Sequence, residues 1–159
     1  MSRSSPDITR LLKVSHILLD VEVTSKKRLF EQIGLLFENQ DQISRSRVFD
    51  ALFNREKLGS TGLGHGFALP HGRLKGVREP LTAFFRLASD VPFEAPDGLP
   101  VRLVFALLVP DHANEQHLRL LGEVAERFSD DELRQSLLTV SDPSQVLQLL
   151  TSPSLYAIG

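Results

Sequence analysis

The stretch VRLVFALLV, residues 101–109, is apolar at every position except Arg102. A strand with one face in water alternates apolar and polar side chains, whereas a continuous apolar run is typical of a strand covered on both faces. A second strand is predicted over residues 81–87, LTAFFRL, and a short apolar strand over residues 66–70. The pattern therefore predicts a sheet with helices packed on both of its faces.

Helices are predicted in the sequence before and after these strands. Apolar residues recur at helical spacing over about residues 26–39, behind the candidate N-cap Ser25, and again in a segment that follows Ser44. Beyond the last strand, a helix is expected to begin around residues 111–114 and to run to about Phe128.

Two more helix starts are visible in the C-terminal third. Residues 129–132, Ser-Asp-Asp-Glu, match a capping box, and Asp142-Pro143 matches an N-cap followed by proline at the first helical position. Strands and helices on one core predict the α/β class, as a single-domain sandwich.

The composition of the chain excludes several classes of function. The 159 residues suit one domain, and a net charge of −2, from 18 Lys and Arg against 20 Asp and Glu, argues against nucleic acid as a partner. The lack of cysteine excludes disulfides, thiol catalysis and cysteine-bound zinc. No run approaches the ~20 apolar residues of a membrane helix. We expect a cytoplasmic protein without membrane insertion.

The segment GFALPHG, residues 66–72, places His71 between a proline and a glycine. Because Pro70 lacks an N–H group, we expect the strand to stop there and to present His71 at its end as a nucleophile or ligand. The glycines that precede it do not form a phosphate loop, since His65 and Gly66 stand where Lys and Ser or Thr are required. We expect instead a backbone that approaches another group closely.

Metal binding is a weaker explanation for the five histidines. On a helix, His112 and His117 would lie about 140° apart, so they would not share a face. His65 and His71 match no common metal spacing. We therefore expect no metal and no cofactor, and we expect His16 and His112 to be surface histidines or histidines with satisfied partners.

His117 and Arg55 are each open to two interpretations. His117 falls on or beside the apolar stripe of its helix, in the first turn if Asn114 is the N-cap. It is either a core histidine with one satisfied nitrogen or an imidazole directed at a bound anion. Arg55 ends the second helix, and it is either a solvated charge or the counter-ion of a phosphoryl group.

These residue types suit phosphoryl transfer. A neutral imidazole attacks phosphorus when one ring nitrogen is free and the other donates a hydrogen bond. The product carries roughly two negative charges that need nearby donors. No nucleotide loop or carboxylate cluster for Mg²⁺ is visible, so the expected donor is another phosphoprotein.

One motif resembles a known family. It runs over residues 55–72, with the pattern RExLGSTGxGxGxAxPHG, and a second segment follows with FALLVP at residues 105–110 and His117-Leu118. The motif resembles the fructose/mannitol-type enzyme IIA domains of the bacterial phosphotransferase system. The resemblance implies a mixed β-sheet flanked by helices on both faces. It also implies that His71 accepts the phosphoryl group as tele-phosphohistidine, with Arg55 and His117 beside it.

Within that family, the chain looks most like the nitrogen-regulatory branch, enzyme IIA-Ntr. The resemblance implies a type-2 IIA domain over residues 7–151, between tails at 1–6 and 152–159. It implies a histidine phosphocarrier protein (HPr/NPr-like) as donor, and regulatory targets such as kinases or transporters. The alternative is a sugar-transport IIA component that passes phosphate to a separate IIB protein. Exposed apolar residues near His71, with Leu63 and Leu74 as candidates, are expected to serve these partners.

Overall fold

The structure is a computed structural model that describes residues 11–112 and 115–151. A 3-10 turn, Val14–His16, precedes the first strand. The strands are β1 Ile17–Val21, β2 Gly62–Gly64, β3 Phe67–Ala68, β4 His71–Leu74, β5 Leu81–Val91 and β6 Val101–Pro110. The helices are α1 Lys26–Asp41, α2 Arg45–Glu56, α3 Glu115–Phe128, α4 Asp131–Thr139 and α5 Pro143–Thr151.

The sheet is mixed, with strand order β1-β5-β6-β3-β2 and β4 also paired to β6. Strand β6 runs antiparallel to β5 and parallel to both β3 and β4. Strand β1 is parallel to β5, whereas β2 and β3 are antiparallel. This confirms the expected α/β sandwich with a mixed sheet.

The continuous apolar sequence of β6 is explained by burial on both faces. Leu103, Phe105 and Leu107 belong to a cluster that includes buried side chains of α3, α4 and α5. The intervening residues Val104 and Ala106 belong to a second cluster, formed with α1 and α2. Because successive side chains of a strand point to opposite faces, each face needs its own apolar set.

Strand β3 ends at Ala68, two residues before Pro70, so the expected stop is confirmed, whereas the expectation that His71 lies at the end of this strand was wrong. Phe67 is in register with Leu103 and His71 with Leu107, a constant offset along the same side of β6. Strands β3 and β4 are thus one line of pairing, interrupted only at Leu69 and Pro70. Proline lacks a donor but keeps its carbonyl, which accepts a hydrogen bond from the Leu107 N–H at 2.9 Å. His71 is consequently the first residue of β4 and not the last residue of β3.

The helix starts follow the expected caps, with one shift. The Ser25 side chain accepts a hydrogen bond from the Arg28 N–H, and Asp142 accepts one from the Gln145 N–H. At α4, however, the N-cap is Asp130 and not Ser129, because the Asp130 carboxylate accepts from the N–H groups of the second and third helical residues. No helix within the described ranges is both long and apolar enough to cross a bilayer.

A buried arginine ties the end of α4 to the sheet. The Arg86 side chain, on β5, donates Nη1 to the Leu137 and Val140 carbonyls at the end of α4, at 3.2 and 2.6 Å. Its other nitrogens bind the Asp20 carboxylate. Because the last carbonyls of a helix have no intrahelical partner, this side chain supplies the donors they lack.

Candidate functional site

His71 is held by the backbone two residues before it. Its Nδ1 atom lies 2.8 Å from the Leu69 carbonyl oxygen, and the ring is half-buried. A carbonyl oxygen only accepts hydrogen bonds, so Nδ1 carries the proton in this arrangement and Nε2 keeps its lone pair free. The register with Leu107 puts the ring on the face of the sheet that α3, α4 and α5 cover.

The surroundings of His71 favour the neutral imidazole. Burial is the largest cause that lowers its pKa below the ordinary value, and the positive charge of Arg55 lowers the pKa further. The hydrogen bond to Leu69 and the negative charge of Glu56 act in the opposite direction. The net effect is a lowered pKa, which keeps the ring uncharged and nucleophilic near neutral pH.

Gly72 allows α2 to lie directly against the strand that carries His71. A Cβ atom at this position would stand 2.6 Å from the Ala51 carbonyl oxygen, closer than such atoms pack. Gly72 is in register with Leu108, so it faces α1 and α2 while His71 faces the opposite layer. Gly72 therefore lets strand β4 and helix α2 meet at their backbones.

Arg55 lies in the last turn of α2 and its charge reaches His71. Its Nη1 atom donates a hydrogen bond to the Gly59 carbonyl at 2.9 Å, which ties the helix end to the glycine segment. The side chain is half-buried, and its charge lowers the pKa of His71. The structure therefore brings Arg55 and His71 into one electrostatic environment.

The glycines before His71 are required for different local reasons, either tight packing or a positive φ angle. A Cβ at Gly62 would stand 2.9 Å from the Ala95 Cβ, so this position packs tightly. Gly64 and Gly66 have φ angles of 94° and 79° and flank His65, whose φ is 57°. The His65 N–H donates to the Asp97 carboxylate at 2.8 Å, and this bond is the largest cause of the lowered pKa of Asp97. His65 thus forms a turn.

A buried carboxylate next to Arg55 was not anticipated. Glu56 Oε1 accepts a hydrogen bond from the Thr61 hydroxyl at 2.6 Å, and Oε2 accepts from the Thr61 N–H at 3.0 Å. Lys26 donates to Oε2 at 2.9 Å and to the exposed Glu94 at 3.1 Å. Glu56 and Thr61 stand inside the quoted motif, but nothing in their local pattern assigns them partners.

His117 lies in the first turn of α3, as the third residue of that helix, and is half-buried. It lines a cleft of about 320 Å³ together with residues that include Arg78, Glu79 and Gln116. The residues that line this cleft include neither His71 nor Arg55. The buried residues of this helix are Leu120, Val124 and Phe128. The expected N-cap, Asn114, lies outside the described residues.

The other histidines have ordinary surroundings. His16 is buried, and its Nε2 atom lies 2.7 Å from an Asp41 carboxylate oxygen, whereas His112 is almost fully exposed. Within residues 11–112 and 115–151, no group of three or more His, Asp and Glu residues could hold a metal ion.

Exposed apolar side chains lie on the segment between α2 and β3. Leu58 is 83% exposed and Leu63 is 47% exposed, while Phe53 lies at the edge of α2. Leu74, however, is 5% exposed and packs in the core with α1 and α2, so its expected role on the surface was wrong. The alternation of β4 turns Leu74 inward together with Gly72.

The fold and the site define an α/β protein with a positioned neutral imidazole beside an arginine. Residues 10–152 match the family described as "Phosphoenolpyruvate-dependent sugar phosphotransferase system, EIIA 2". The chain belongs to this family.

Individual relatives point to one branch of the family. The "Nitrogen regulatory protein" of Pseudomonas aeruginosa is 38% identical over 144 residues, which cover 90% of this chain and 94% of the relative. The crystal structure of nitrogen regulatory protein IIA-Ntr from Neisseria meningitidis is 52% identical, with a TM-score of 0.86 over 90% of this chain and 98% of that one. The Escherichia coli IIA mannitol structure, 24% identical with a TM-score of 0.74 over 87% of this chain and 98% of that one, shares the fold.

Proposed function

We propose that this protein accepts a phosphoryl group on Nε2 of His71 from a histidine phosphocarrier protein, and that its phosphorylation state controls partner proteins. The observation that carries the proposal is the hydrogen bond from Nδ1 to the Leu69 carbonyl. It leaves Nε2 as the nitrogen with a free lone pair, which is the tele position. Family membership and the nitrogen-regulatory relatives support the same reaction class.

The transfer balances without a cofactor. The Nε2 lone pair forms a bond to phosphorus while the bond from phosphorus to the donor's ring nitrogen breaks, and that nitrogen keeps the electron pair. His71 retains its Nδ1 proton during the attack, so its ring develops positive charge. The Leu69 carbonyl oxygen, 2.8 Å from Nδ1, is placed to stabilise that charge.

Arg55 is the proposed counter-ion of the incoming phosphoryl group. Its guanidinium has donors beyond the Nη1 bond to Gly59, and paired guanidinium donors match phosphate oxygens. Its charge also helps to keep His71 neutral before the transfer.

His117 is proposed to support the transfer without carrying the phosphate. It stands in the first turn of α3, where free N–H groups and the helix dipole favour an anion. Helix α3 packs on the sheet face to which His71 belongs, since Leu107 and Leu120 share one cluster.

Phosphorylation with purified components tests this assignment. Phosphoenolpyruvate, enzyme I and a histidine phosphocarrier protein should add one acid-labile phosphoryl group to the wild type and none to His71→Ala. His65→Ala is the matched control, because His65 is exposed and forms only a turn. Labelling of His71→Ala at the wild-type level would exclude His71 as the acceptor.

The two neighbours are tested by rate. Arg55→Ala should slow phosphorylation by an order of magnitude or more, because one charge-stabilising donor contributes about 2–4 kcal/mol in such sites. His117→Ala should still fold and accept label, with a changed transfer rate or phosphoryl lifetime. Wild-type rates and lifetimes in both variants would contradict the proposed roles of Arg55 and His117.

Control of partners is proposed from the change in charge. A phosphoryl group adds about two negative charges at His71, which can switch a docking surface without refolding. The exposed Leu58 and Leu63 are the proposed apolar part of that surface. Kinases and transporters are the proposed target classes. A regulatory target should bind the free and phosphorylated forms differently in a pull-down.

The alternative is transfer to a separate sugar-specific IIB protein, which the family description favours because it names the sugar phosphotransferase system. Rapid dephosphorylation by a IIB protein, without any target that distinguishes the two states, would favour transport over regulation.

A further inference from the structure

Glu56 is placed to act on His71 through a continuous series of hydrogen bonds. Its carboxylate accepts from both the N–H and the hydroxyl of Thr61. The Thr61 carbonyl in turn accepts from the Leu69 N–H at 2.9 Å. The Leu69 carbonyl accepts from Nδ1 of His71 at 2.8 Å. Each link ends on a residue that makes the next link through its other backbone group.

We infer that Glu56 is a positioning residue for His71, acting through Thr61 and the Leu69 carbonyl to hold the imidazole with Nε2 free. The inference deepens the proposed function and rests on it, because it assigns the support of the same nucleophile. Glu56 does not touch the phosphoryl group. Its role is to keep the segment of Thr61 and the β3 end in one arrangement.

Burial makes this contact series stiff. Glu56 is 8% exposed and Thr61 is 3% exposed, and Leu69 is buried as well. Hydrogen bonds shielded from water are stronger, and a buried group that loses its partner keeps the full desolvation cost. The Leu69 carbonyl therefore has little freedom to turn away from His71.

Lys26 completes the arrangement from the other side. Its Nζ atom binds Glu56 Oε2 and lies 4.7 Å from the centre of the Phe93 ring. The side chain is 16% exposed and also binds Glu94 at 3.1 Å. Three donors thus hold the Glu56 carboxylate, which links the start of α1, the end of α2 and the segment before β2.

Two substitutions of Glu56 separate positioning from charge. Glu56→Ala removes the carboxylate that accepts hydrogen bonds from Thr61 and Lys26. Glu56→Gln removes the charge but keeps the geometry, because the amide oxygen can replace Oε2 and the NH₂ group can donate to the Thr61 hydroxyl oxygen. Positioning therefore predicts that Glu56→Ala is impaired and that Glu56→Gln is close to wild type.

The first measurement is the imidazole tautomer of His71, from ¹⁵N NMR of the unphosphorylated protein. The wild type should show the proton on Nδ1, and Glu56→Gln should keep it there. Glu56→Ala should show a mixture of tautomers. This measurement needs no phosphate donor, so failure of the inference and failure of the proposed function are separate results.

The second measurement is the rate of phosphorylation by the phosphocarrier protein. Glu56→Ala should lower kcat by about tenfold or more, because a misplaced nucleophile loses its alignment. The KM for the phosphocarrier should stay within about twofold, since the buried Glu56 side chain offers a docked protein almost no contact surface. Thr61→Val should lower kcat by a smaller factor than Glu56→Ala does. Thr61→Ser should keep the wild-type kcat, because serine keeps the hydroxyl. If Glu56→Ala does not fold, Thr61→Val tests the same contact series.

Glu94→Ala is the matched control. It removes the other carboxylate of Lys26, which is 86% exposed and has no bond to Thr61. In Glu94→Ala, the His71 tautomer and the phosphorylation rate should equal those of the wild type. The inference is overturned if Glu56→Ala and Thr61→Val keep the Nδ1 tautomer and wild-type kcat. It is also overturned if Glu56→Gln is slowed as much as Glu56→Ala while its tautomer is unchanged, since charge alone would then explain the effect.

Discussion

Gly72→Ala should destabilise the protein, although the same substitution at Gly122 should stabilise it. The added Cβ would lie 2.6 Å from the Ala51 carbonyl oxygen and 2.8 Å from its carbon. Since non-bonded heavy atoms prefer about 3.5 Å or more, strand β4 and helix α2 would have to separate by about 0.9 Å. Both obstacles are backbone atoms, so no side chain can rotate away.

Overpacking of this kind costs about 1–3 kcal/mol, and a backbone obstacle places Gly72→Ala near the upper end. A domain of this size loses roughly 2–4 °C of melting temperature per kcal/mol, which gives a fall of roughly 6–12 °C. Gly122→Ala is the control, because its Cβ would meet nothing within 4 Å on the exposed side of α3. It should gain about 0.5–1 kcal/mol from lower backbone entropy in the unfolded chain.

Thermal unfolding followed by circular dichroism measures both variants. Phosphorylation of Gly72→Ala should also slow by roughly 10–100-fold, because the displaced helix carries Arg55 away from His71. If Gly72→Ala melts within about 2 °C of the wild type, the tight approach of α2 and β4 is refuted. Equal shifts in Gly72→Ala and Gly122→Ala would refute the steric explanation.

Two further predictions concern ionisation and a buried arginine. NMR titration should place the pKa of His71 below its ordinary value of about 6.5, and Arg55→Ala should raise it, because the Arg55 charge lowers it. The unfolded chain therefore binds more protons at that site, so the His71 contribution to stability is complete above about pH 6.5 and is lost as the pH falls from there through the lower pKa of the folded protein. A flat pH dependence that His71→Ala leaves unchanged would contradict this. Arg86→Met should lower the free energy of unfolding in urea by about 2–4 kcal/mol, because it leaves the Leu137 and Val140 carbonyls at the end of α4 without their donor. Asp20→Asn, at a carboxylate that is 68% exposed, should lower it by about 1 kcal/mol or less. Equal losses in the two variants would show that the ion pair, and not the bonds to the carbonyls, provides the stability.

Local sequence patterns determined the elements and the class of the protein. The apolar run of residues 101–109 predicted a strand covered on both faces, and Ser25 and Asp142 marked two helix starts correctly. Such signals are reliable because side-chain period and capping depend on residues a few positions apart. The motif around His71 predicted the family for the same reason, since its residues are neighbours in the chain.

Tertiary structure alone decided how the neighbours of His71 meet. The pairing along β6 resumes in β4 beyond Pro70, turns Leu74 into the core and makes Gly72 the contact point for α2. The contact series from Glu56 to His71 joins segments that no local period relates. Burial of Glu56 depends on which donors the folded chain brings to it, and that outcome arises from packing between elements distant in sequence.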